Sequence, residues 1–210
     1  MHVAIPLYPR FTALDVAGPY TVLSMVPGCT VTLVAAARGP VSDDFGTFML
    51  AATASYEEVP APDVVMVPGG TGTLDALSDE ALVNWIRQAH EHTRWTTSVC
   101  TGSLLLGAAG LLEGLPATSH WALLDLLKQY GAEPVSTRVV HTGKIVTAAG
   151  VSAGIDMALT LVGKAVDEET AQSVQLAIEY DPEPPFTAGS LQTAPAGIPD
   201  RALHLLTQTP

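Results

Sequence analysis

The stretch WTTSVCTGSLLLGAA, residues 95–109, decides the fold of this chain. Residues 95–99 are mostly β-branched, a composition that favours a strand. Residues 101–109 are small and apolar and contain no proline, which is typical of a buried helix. Cys100 stands between the two segments. We therefore predict a tight strand-to-helix turn with a cysteine at its apex.

The position of Cys100 favours a reactive thiol. The first backbone N–H groups of the following helix, and the positive end of its dipole, favour a thiolate at Cys100. The arrangement parallels the nucleophile elbow of serine hydrolases, with sulfur in place of oxygen. The alternative is a small buried hydrophobic residue, since free cysteine is often fully buried. This stretch alone leaves both interpretations open, because reactivity depends on pKa and exposure.

Apolar strands alternate with helical stretches on both sides of this turn. The pattern indicates an α/β fold, a three-layer sandwich in which helices cover both faces of a mostly parallel sheet. Ser78 is placed to cap the helix that follows it. The predicted strands are 3–7, 31–36, 64–67, 95–99 and a hairpin over 139–147 that turns at Thr142-Gly143. The predicted helices are 16–25, 80–92, 101–109, 120–130, 152–164 and 167–178.

The length of the chain fits one domain. Its 210 residues are enough for an α/β domain with a sizeable core and too few to make two domains the default. Neither an internal repeat nor an interdomain linker is evident, so we predict a single domain over residues 1–210. Prolines and glycines accumulate beyond Tyr180, and we expect an irregular C-terminal segment from about residue 181.

Composition argues against several functions. Nine basic residues against 21 acidic ones give a net charge of −12, which disfavours binding to nucleic acid or to anionic membranes. A run of about 18 apolar residues, as a transmembrane helix needs, does not occur. Residues 1–8 lack the basic and apolar regions of a signal peptide, so we expect a cytoplasmic protein. In that reducing compartment Cys29 and Cys100 should stay unpaired. The spacings CxxC and HExxH do not occur either, so we predict no metal site.

Three candidate features follow predicted parallel strands. Asp15 comes after the first strand, Gly69-Gly70 after the strand at 64–67, and Cys100 after the strand at 95–99. Ligands of open parallel sheets bind outside the carboxyl ends of the strands. This convergence supports the reactive interpretation of Cys100.

The chemistry of these neighbours has alternatives. The backbone amides of Gly70 and Thr101 are candidates for an oxyanion hole. The alternative is that Gly69-Gly70 only allows a plain turn between the strand and the following loop. Asp15 precedes an apolar helical run, which by default favours an N-cap. In a water-poor pocket facing Cys100 it would instead have a raised pKa and hold a proton for catalysis. His120 is a candidate base for Cys100, although a histidine near a helix start is more often a structural hydrogen-bond partner.

Motifs spread over most of the chain resemble those of the ThiJ/PfpI superfamily. This resemblance implies the fold of class I glutamine-amidotransferase domains, which is flavodoxin-like. The matching segments are residues 14–19, 67–70, 98–102, 118–121, 149–156 and 177–182.

Within that superfamily the chain is most similar to the isonitrile hydratase branch. The similarity lies in the aspartate at position 15, the Cys100-Thr101 pair and the run at 179–182. It implies hydration of a small isonitrile to an N-substituted formamide by a homodimer without a cofactor. Cys100 would be the nucleophile, assisted by Asp15 and Thr101. The substrate-binding set that it implies is Gly70, Thr101, Gly150, Val151 and His120.

Other activities of the superfamily stay open. A glyoxalase or deglycase would use the same cysteine and acid, and an amidase would need His120 beside Cys100. AraC-type regulators carry a similar domain, which allows a ligand-binding role, and an accessible thiol would allow a redox sensor. The acidic composition disfavours direct DNA binding.

Overall fold

The computed structural model describes residues 1–208. The strands within this range are β1 His2–Pro6, β2 Thr30–Ala35, β3 Gly39–Ser42, β4 Met49–Ala52, β5 Ala54–Ser55, β6 Val64–Val67, β7 Trp95–Val99, β8 Pro116–Ala117, β9 Glu133–Pro134, β10 Val139–Thr142 and β11 Ile145–Ala148. The helices are α1 Ala13–Ser24, α2 Thr73–Ala76, α3 Glu80–His92, α4 Gly102–Ala108, α5 Ala153–Ala165, α6 Glu168–Ala177 and α7 Ile198–Thr207. A 3₁₀ helix, Trp121–Tyr130, lies between α4 and α5.

A seven-stranded sheet forms the centre of the fold, in the order β10-β11-β7-β6-β1-β2-β5. All of its neighbours pair in parallel except β10 and β11. Helices α1, α5 and α6 pack in one group and α3, α4 and the 3₁₀ helix in another, and helices flank the sheet. The predicted three-layer α/β architecture is therefore confirmed. Because β1, β6 and β7 are adjacent, the loops after their carboxyl ends meet.

Burial explains why these segments take their places. All four residues of β6 are buried, as expected for a central parallel strand covered on both faces. Helix α3 buries one face and begins at Asp79, whose Oδ1 accepts the N–H groups of Ala81 at 3.0 Å and Leu82 at 3.1 Å. The prediction that Ser78 is the cap was wrong by one residue.

Some elements differ from the sequence prediction. Thr142 pairs with Ile145, so the hairpin turns at Gly143-Lys144, one residue later than predicted. The small antiparallel sheet of β3 and β4 was not predicted. Residues 181–197 contain no helix or strand, as expected, but α7 follows them. Pro199 suggests a break when read along the sequence, yet it lies in the first turn of α7, where proline is tolerated.

No helix within residues 1–208 has the length and the apolar character that are needed to cross a lipid bilayer.

Candidate active site

Cys100 directly follows β7 and has a left-handed backbone conformation, with φ of 57°. Such a conformation costs a non-glycine residue about 1–3 kcal/mol and persists where the surroundings fix it. The Cys100 N–H donates to the carbonyls of Ala148 and Ala149, each at 3.0 Å. Its own carbonyl accepts hydroxyl hydrogen bonds from Ser103 at 3.2 Å and from Ser119 at 3.1 Å. The predicted strand-to-helix turn is confirmed, and its backbone is held on both sides.

Glycines allow the neighbouring loops to approach this turn closely. A Cβ atom on Gly102 would lie 2.2 Å from the Val67 carbonyl oxygen, so α4 begins directly against the end of β6. A Cβ atom on Gly69 would lie 2.5 Å from the Thr101 backbone nitrogen. The loop after β6 therefore contacts the turn after β7 without side chains between them.

Asp15 lies in the first turn of α1 and is fully buried. Its Oδ2 accepts the Gly69 N–H at 2.8 Å. Its Oδ1 is buried without a partner of full hydrogen-bond geometry, and the carboxyl group interacts with the Cys100 side chain. The cap interpretation of Asp15 was wrong, because Thr12 occupies the N-cap position of α1 and the Asp15 carboxyl crosses to the loop after β6.

Burial controls the ionisation of both groups. Burial raises the pKa of Asp15 to about 7, and the negative charge of Asp44 adds to this rise. The hydrogen bond from the Gly69 N–H acts in the opposite direction and lowers the pKa. Burial also raises the pKa of Cys100 well above its usual range, and a charged Asp15 raises it further. Hydrogen bonds from the Val151 and Thr101 amides and the Thr101 side chain oppose this rise. The expectation of a resting thiolate was therefore wrong, because loss of solvation outweighs the helix N–H groups.

A chain of hydroxyl groups fixes the Thr101 side chain. Thr101 Oγ1 accepts the Gly70 N–H at 3.0 Å and lies 2.7 Å from Thr73 Oγ1. Thr73 Oγ1 lies 2.9 Å from the Tyr8 hydroxyl, which donates to the Pro68 carbonyl at 2.9 Å. Because the Gly70 N–H is bound to Thr101, its predicted role in an oxyanion hole stays a prediction.

Gly150 and Val151 lie in the loop between β11 and α5. Val151 has φ of 38°, and its backbone N–H lowers the pKa of the Cys100 thiol. A Cβ atom on Gly150 would lie 2.6 Å from Cδ2 of His120, so the imidazole packs directly on Gly150. The structure thus brings Val151 to Cys100 from the loop before α5.

His120 has a structural contact. Its Nδ1 accepts the Ala122 N–H at 3.3 Å at the start of the 3₁₀ helix, and burial lowers its pKa, which favours the neutral imidazole. Within the described part of the chain it makes no hydrogen bond to Cys100. The geometry does not provide the Cys-His pair that an amidase would need.

A cavity of about 380 Å³ lies next to Val151, a volume that suits a small ligand. Its lining residues are Thr118, Ser119, His120, Trp121, Leu124, Ser136, Thr137, Arg138, Ala149, Gly150, Val151, Ser152, Gly189, Ser190, Leu191 and Gln192. The cavity therefore joins predicted site residues to the C-terminal segment. Over residues 1–208, His, Cys, Asp and Glu side chains form no group of three that could hold a metal ion.

Sequence reasoning missed Arg138 and Asp44 at the site. Arg138 lines the cavity and donates through Nε to Asp156 Oδ2 at 2.8 Å, and Tyr180 donates to the same oxygen at 3.0 Å. Asp44 binds the loops that carry Asp15 and Gly70. The run Asp43-Asp44-Phe45-Gly46 signals a turn, but nothing in its spacing indicates those distant contacts.

Comparisons with known proteins identify relatives of this chain. The model of the DJ-1/PfpI family matches residues 1–164. The chain is 46% identical over 202 residues to an isonitrile hydratase of Pseudomonas putida, covering 96% of this chain and 88% of that protein. A crystal structure of a ThiJ/PfpI family protein from Pseudomonas syringae superimposes with a TM-score of 0.94 at 39% identity, covering 99% of this chain and 86% of that one.

A more distant match concerns regulators. The chain is 31% identical over 130 residues to the helix-turn-helix transcriptional regulator GbdR of Pseudomonas aeruginosa, which spans 61% of this chain and only 35% of the regulator. From the family model and the full-length similarities together, the chain belongs to the DJ-1/PfpI family.

Proposed function

We propose that this protein catalyses the hydration of isonitriles, R–N≡C + H₂O → R–NH–CHO, with Cys100 as the nucleophile and Asp15 as the proton donor. The observation that carries the proposal is a fully buried Asp15, with one carboxyl oxygen free of hydrogen bonds, whose pKa burial raises to about 7 and on which the Cys100 side chain acts. Similarity to the hydratase of Pseudomonas putida over nearly the whole chain supports it.

The first step joins sulfur and hydrogen to the terminal carbon. Protonated Asp15 gives its proton to that carbon, which then becomes electrophilic. The Cys100 sulfur forms a C–S bond, and the thiol proton passes to the Asp15 carboxylate as the N≡C bond becomes N=C. The product is a thioimidate, R–N=CH–S–Cys100, and Asp15 is protonated again.

The second step hydrolyses the thioimidate. Asp15 gives a proton to the nitrogen and, as the carboxylate, accepts one from the attacking water. The oxygen adds to the carbon, and a tetrahedral intermediate forms. Collapse of this intermediate breaks the C–S bond, releases R–NH–CHO and returns a proton to the sulfur. Atoms and charge balance, and both reactive groups regain their starting forms.

The backbone around Cys100 supports these charge changes. The Val151 and Thr101 amides donate toward the sulfur, so they stabilise negative charge when it leaves the carbon. Thr101 also holds the Gly70 amide in place. The rest of the proposed substrate-binding set consists of Gly70, Gly150, Val151 and His120. We place the R group of the isonitrile in the cavity beside Val151.

We further propose a cytoplasmic homodimer in which residues 1–210 form one domain, acting on a small-molecule isonitrile without binding nucleic acid and without a cofactor. These proposals rest on the family resemblance, and the acidic charge of −12 fits them. Light scattering checks the dimer, which a monomeric mass at working concentration would contradict.

The activity is tested with cyclohexyl isocyanide as the substrate. We expect N-cyclohexylformamide to appear by NMR in proportion to wild-type protein. Methylglyoxal is offered in parallel, and its turnover without isonitrile turnover would favour a glyoxalase instead. Turnover of neither substrate, with peroxide-dependent oxidation of Cys100, would favour a redox sensor.

A further inference from the structure

Asp44 is a buried carboxylate outside the main sheet, in the loop between β3 and β4. Its side chain is 7% exposed. Its Oδ1 accepts the Thr71 N–H at 2.7 Å and the Thr71 hydroxyl at 2.9 Å, and its Oδ2 accepts the Thr12 hydroxyl at 2.6 Å. Three hydrogen-bond donors on two threonines thus share one carboxylate.

The two threonines lie next to proposed catalytic residues. Thr12 precedes α1, and its carbonyl accepts the Asp15 N–H at 3.0 Å. Thr71 directly follows Gly70, whose N–H binds Thr101. The loops also meet directly, since the Thr12 N–H donates to the Gly69 carbonyl at 2.8 Å. Asp44 therefore connects the loop that carries the acid to the loop that supports Thr101.

Asp44 is also the charged group that acts on Asp15. The side chains that shift the pKa of Asp15 are Asp44 and Cys100, and Asp15 in turn acts on Tyr8. Burial raises the pKa of both Tyr8 and Cys100, so each is neutral near pH 7. No cation forms a salt bridge with Asp44 within residues 1–208.

Other charged groups near these elements have partners of their own. On α5, which packs against α1, Asp156 is bound by Arg138. Asp75 of α2 lies 3.9 Å from Arg10. Asp43, the neighbour of Asp44, instead accepts the Phe45 and Phe48 N–H groups within its own turn.

We propose that Asp44 is a positioning residue for the hydration reaction: through Thr12 and Thr71 it ties the start of α1, which carries Asp15, to the loop of Gly70, and it places a carboxylate between these two elements. This proposal rests on the function proposed above. It assigns Asp44 two separable effects, one through hydrogen bonds and one through charge.

Two substitutions separate these effects. Asp44→Asn keeps an oxygen for Thr71 and places an amide beside the Thr12 hydroxyl, so it removes the charge but retains the connection. Asp44→Ala removes both. We expect D44A to lower kcat roughly 10- to 100-fold at every pH, with little change in KM, because the acid is misplaced.

D44N has a different expected signature. Activity at pH 6 should stay within about twofold of wild type, whereas at pH 7.5 it should fall a further two- to threefold, roughly, because Asp15 ionises at lower pH. Asp43→Asn is the matched control, since it removes the same charge from the same loop without touching Thr12 or Thr71. Its pH–rate profile should match that of wild type.

A second readout does not depend on turnover. The Asp15 carboxyl titration, followed by ¹³C NMR, should move to lower pH in D44N and stay in place in D43N. An unmoved titration together with an unmoved pH–rate profile in folded D44N would overturn the charge effect. Wild-type kcat in folded D44A would overturn the connection. If wild type does not hydrate isonitriles but the titration moves, the proposed function fails while the charge effect stands.

Discussion

The dipeptide Cys-Thr occurs twice in this chain, at Cys29-Thr30 and at Cys100-Thr101, and the two sites lie at opposite ends of the sheet. Cys29 precedes β2, at the amino end of the sheet, and is half-buried. Cys100 follows β7 at the carboxyl end and is buried. Burial raises the pKa of both thiols, so a depressed thiol pKa does not distinguish them.

The difference lies in what surrounds each sulfur. At Cys29 the chain continues into a strand, and the charges nearby are the amino terminus, which lowers its pKa, and Asp63, which raises it. At Cys100 the chain reverses into a helix, so amide donors and a protonatable acid face the sulfur. Strand direction, more than the local pair of residues, therefore prepares a cysteine for chemistry.

Removal of the Cys100 sulfur and removal of the Cys29 sulfur should differ most in their effect on kcat. We expect Cys100→Ala to abolish formamide formation, a loss of at least about 10⁴-fold in kcat, because no other nucleophile faces the acid. Cys29→Ala should retain wild-type kcat. Both are measured with cyclohexyl isocyanide, and circular dichroism checks that each variant is folded. Residual turnover above about 1% in C100A would contradict nucleophilic catalysis by Cys100.

The two neighbouring carboxylates allow the next comparison. Asp15→Asn should lower kcat by about 10³-fold, since general acid catalysis contributes up to about 10⁴-fold. Asp63→Asn, beside Cys29, should leave kcat unchanged, although it loses the carboxylate oxygen that accepts the His2 N–H at 2.7 Å. If the two substitutions had equal effects on kcat, Asp15 would have only a structural role and would not act as the general acid.

Stability should depend on pH through Asp15. Its pKa is raised from 3.8 to about 7, so the folded state holds a proton that the unfolded state releases between those values. The free energy of unfolding attributable to this group falls by about 4 kcal/mol as pH rises from about 4 to 7. D15N lacks this slope, and urea unfolding at pH 5 and pH 8 measures the difference. Parallel pH dependence in the two proteins would show that Asp15 is not buried.

The two threonines should give the smallest contrast. Thr101→Val keeps the shape but removes the hydroxyl that accepts the Gly70 N–H and contacts Thr73. We expect kcat to fall about tenfold, since one orienting hydrogen bond is lost. Thr30→Val, at an exposed strand start, should leave kcat unchanged. A rise in KM alone for T101V would instead indicate that the hydroxyl acts in substrate binding.

Local patterns predicted much of the fold and the place of the site. The turn at Cys100 is encoded by adjacent residues, and the meeting of Asp15, Gly69 and Cys100 follows from the rule that parallel strands carry their sites at one edge. Their ionisation was not predictable in this way, because it depends on burial by distant segments. The contacts of Asp44 were missed for a similar reason: they join it to residues 27 and 32 positions away, across elements too short to predict.

The β3–β4 hairpin that carries Asp44 shares no strand with the seven-stranded sheet. Changes in its length or sequence therefore leave the register of β6 against β7 intact. Substitutions in this hairpin can therefore change the pKa of Asp15 while the central sheet stays the same. Relatives that share the scaffold can in this way have different pH optima.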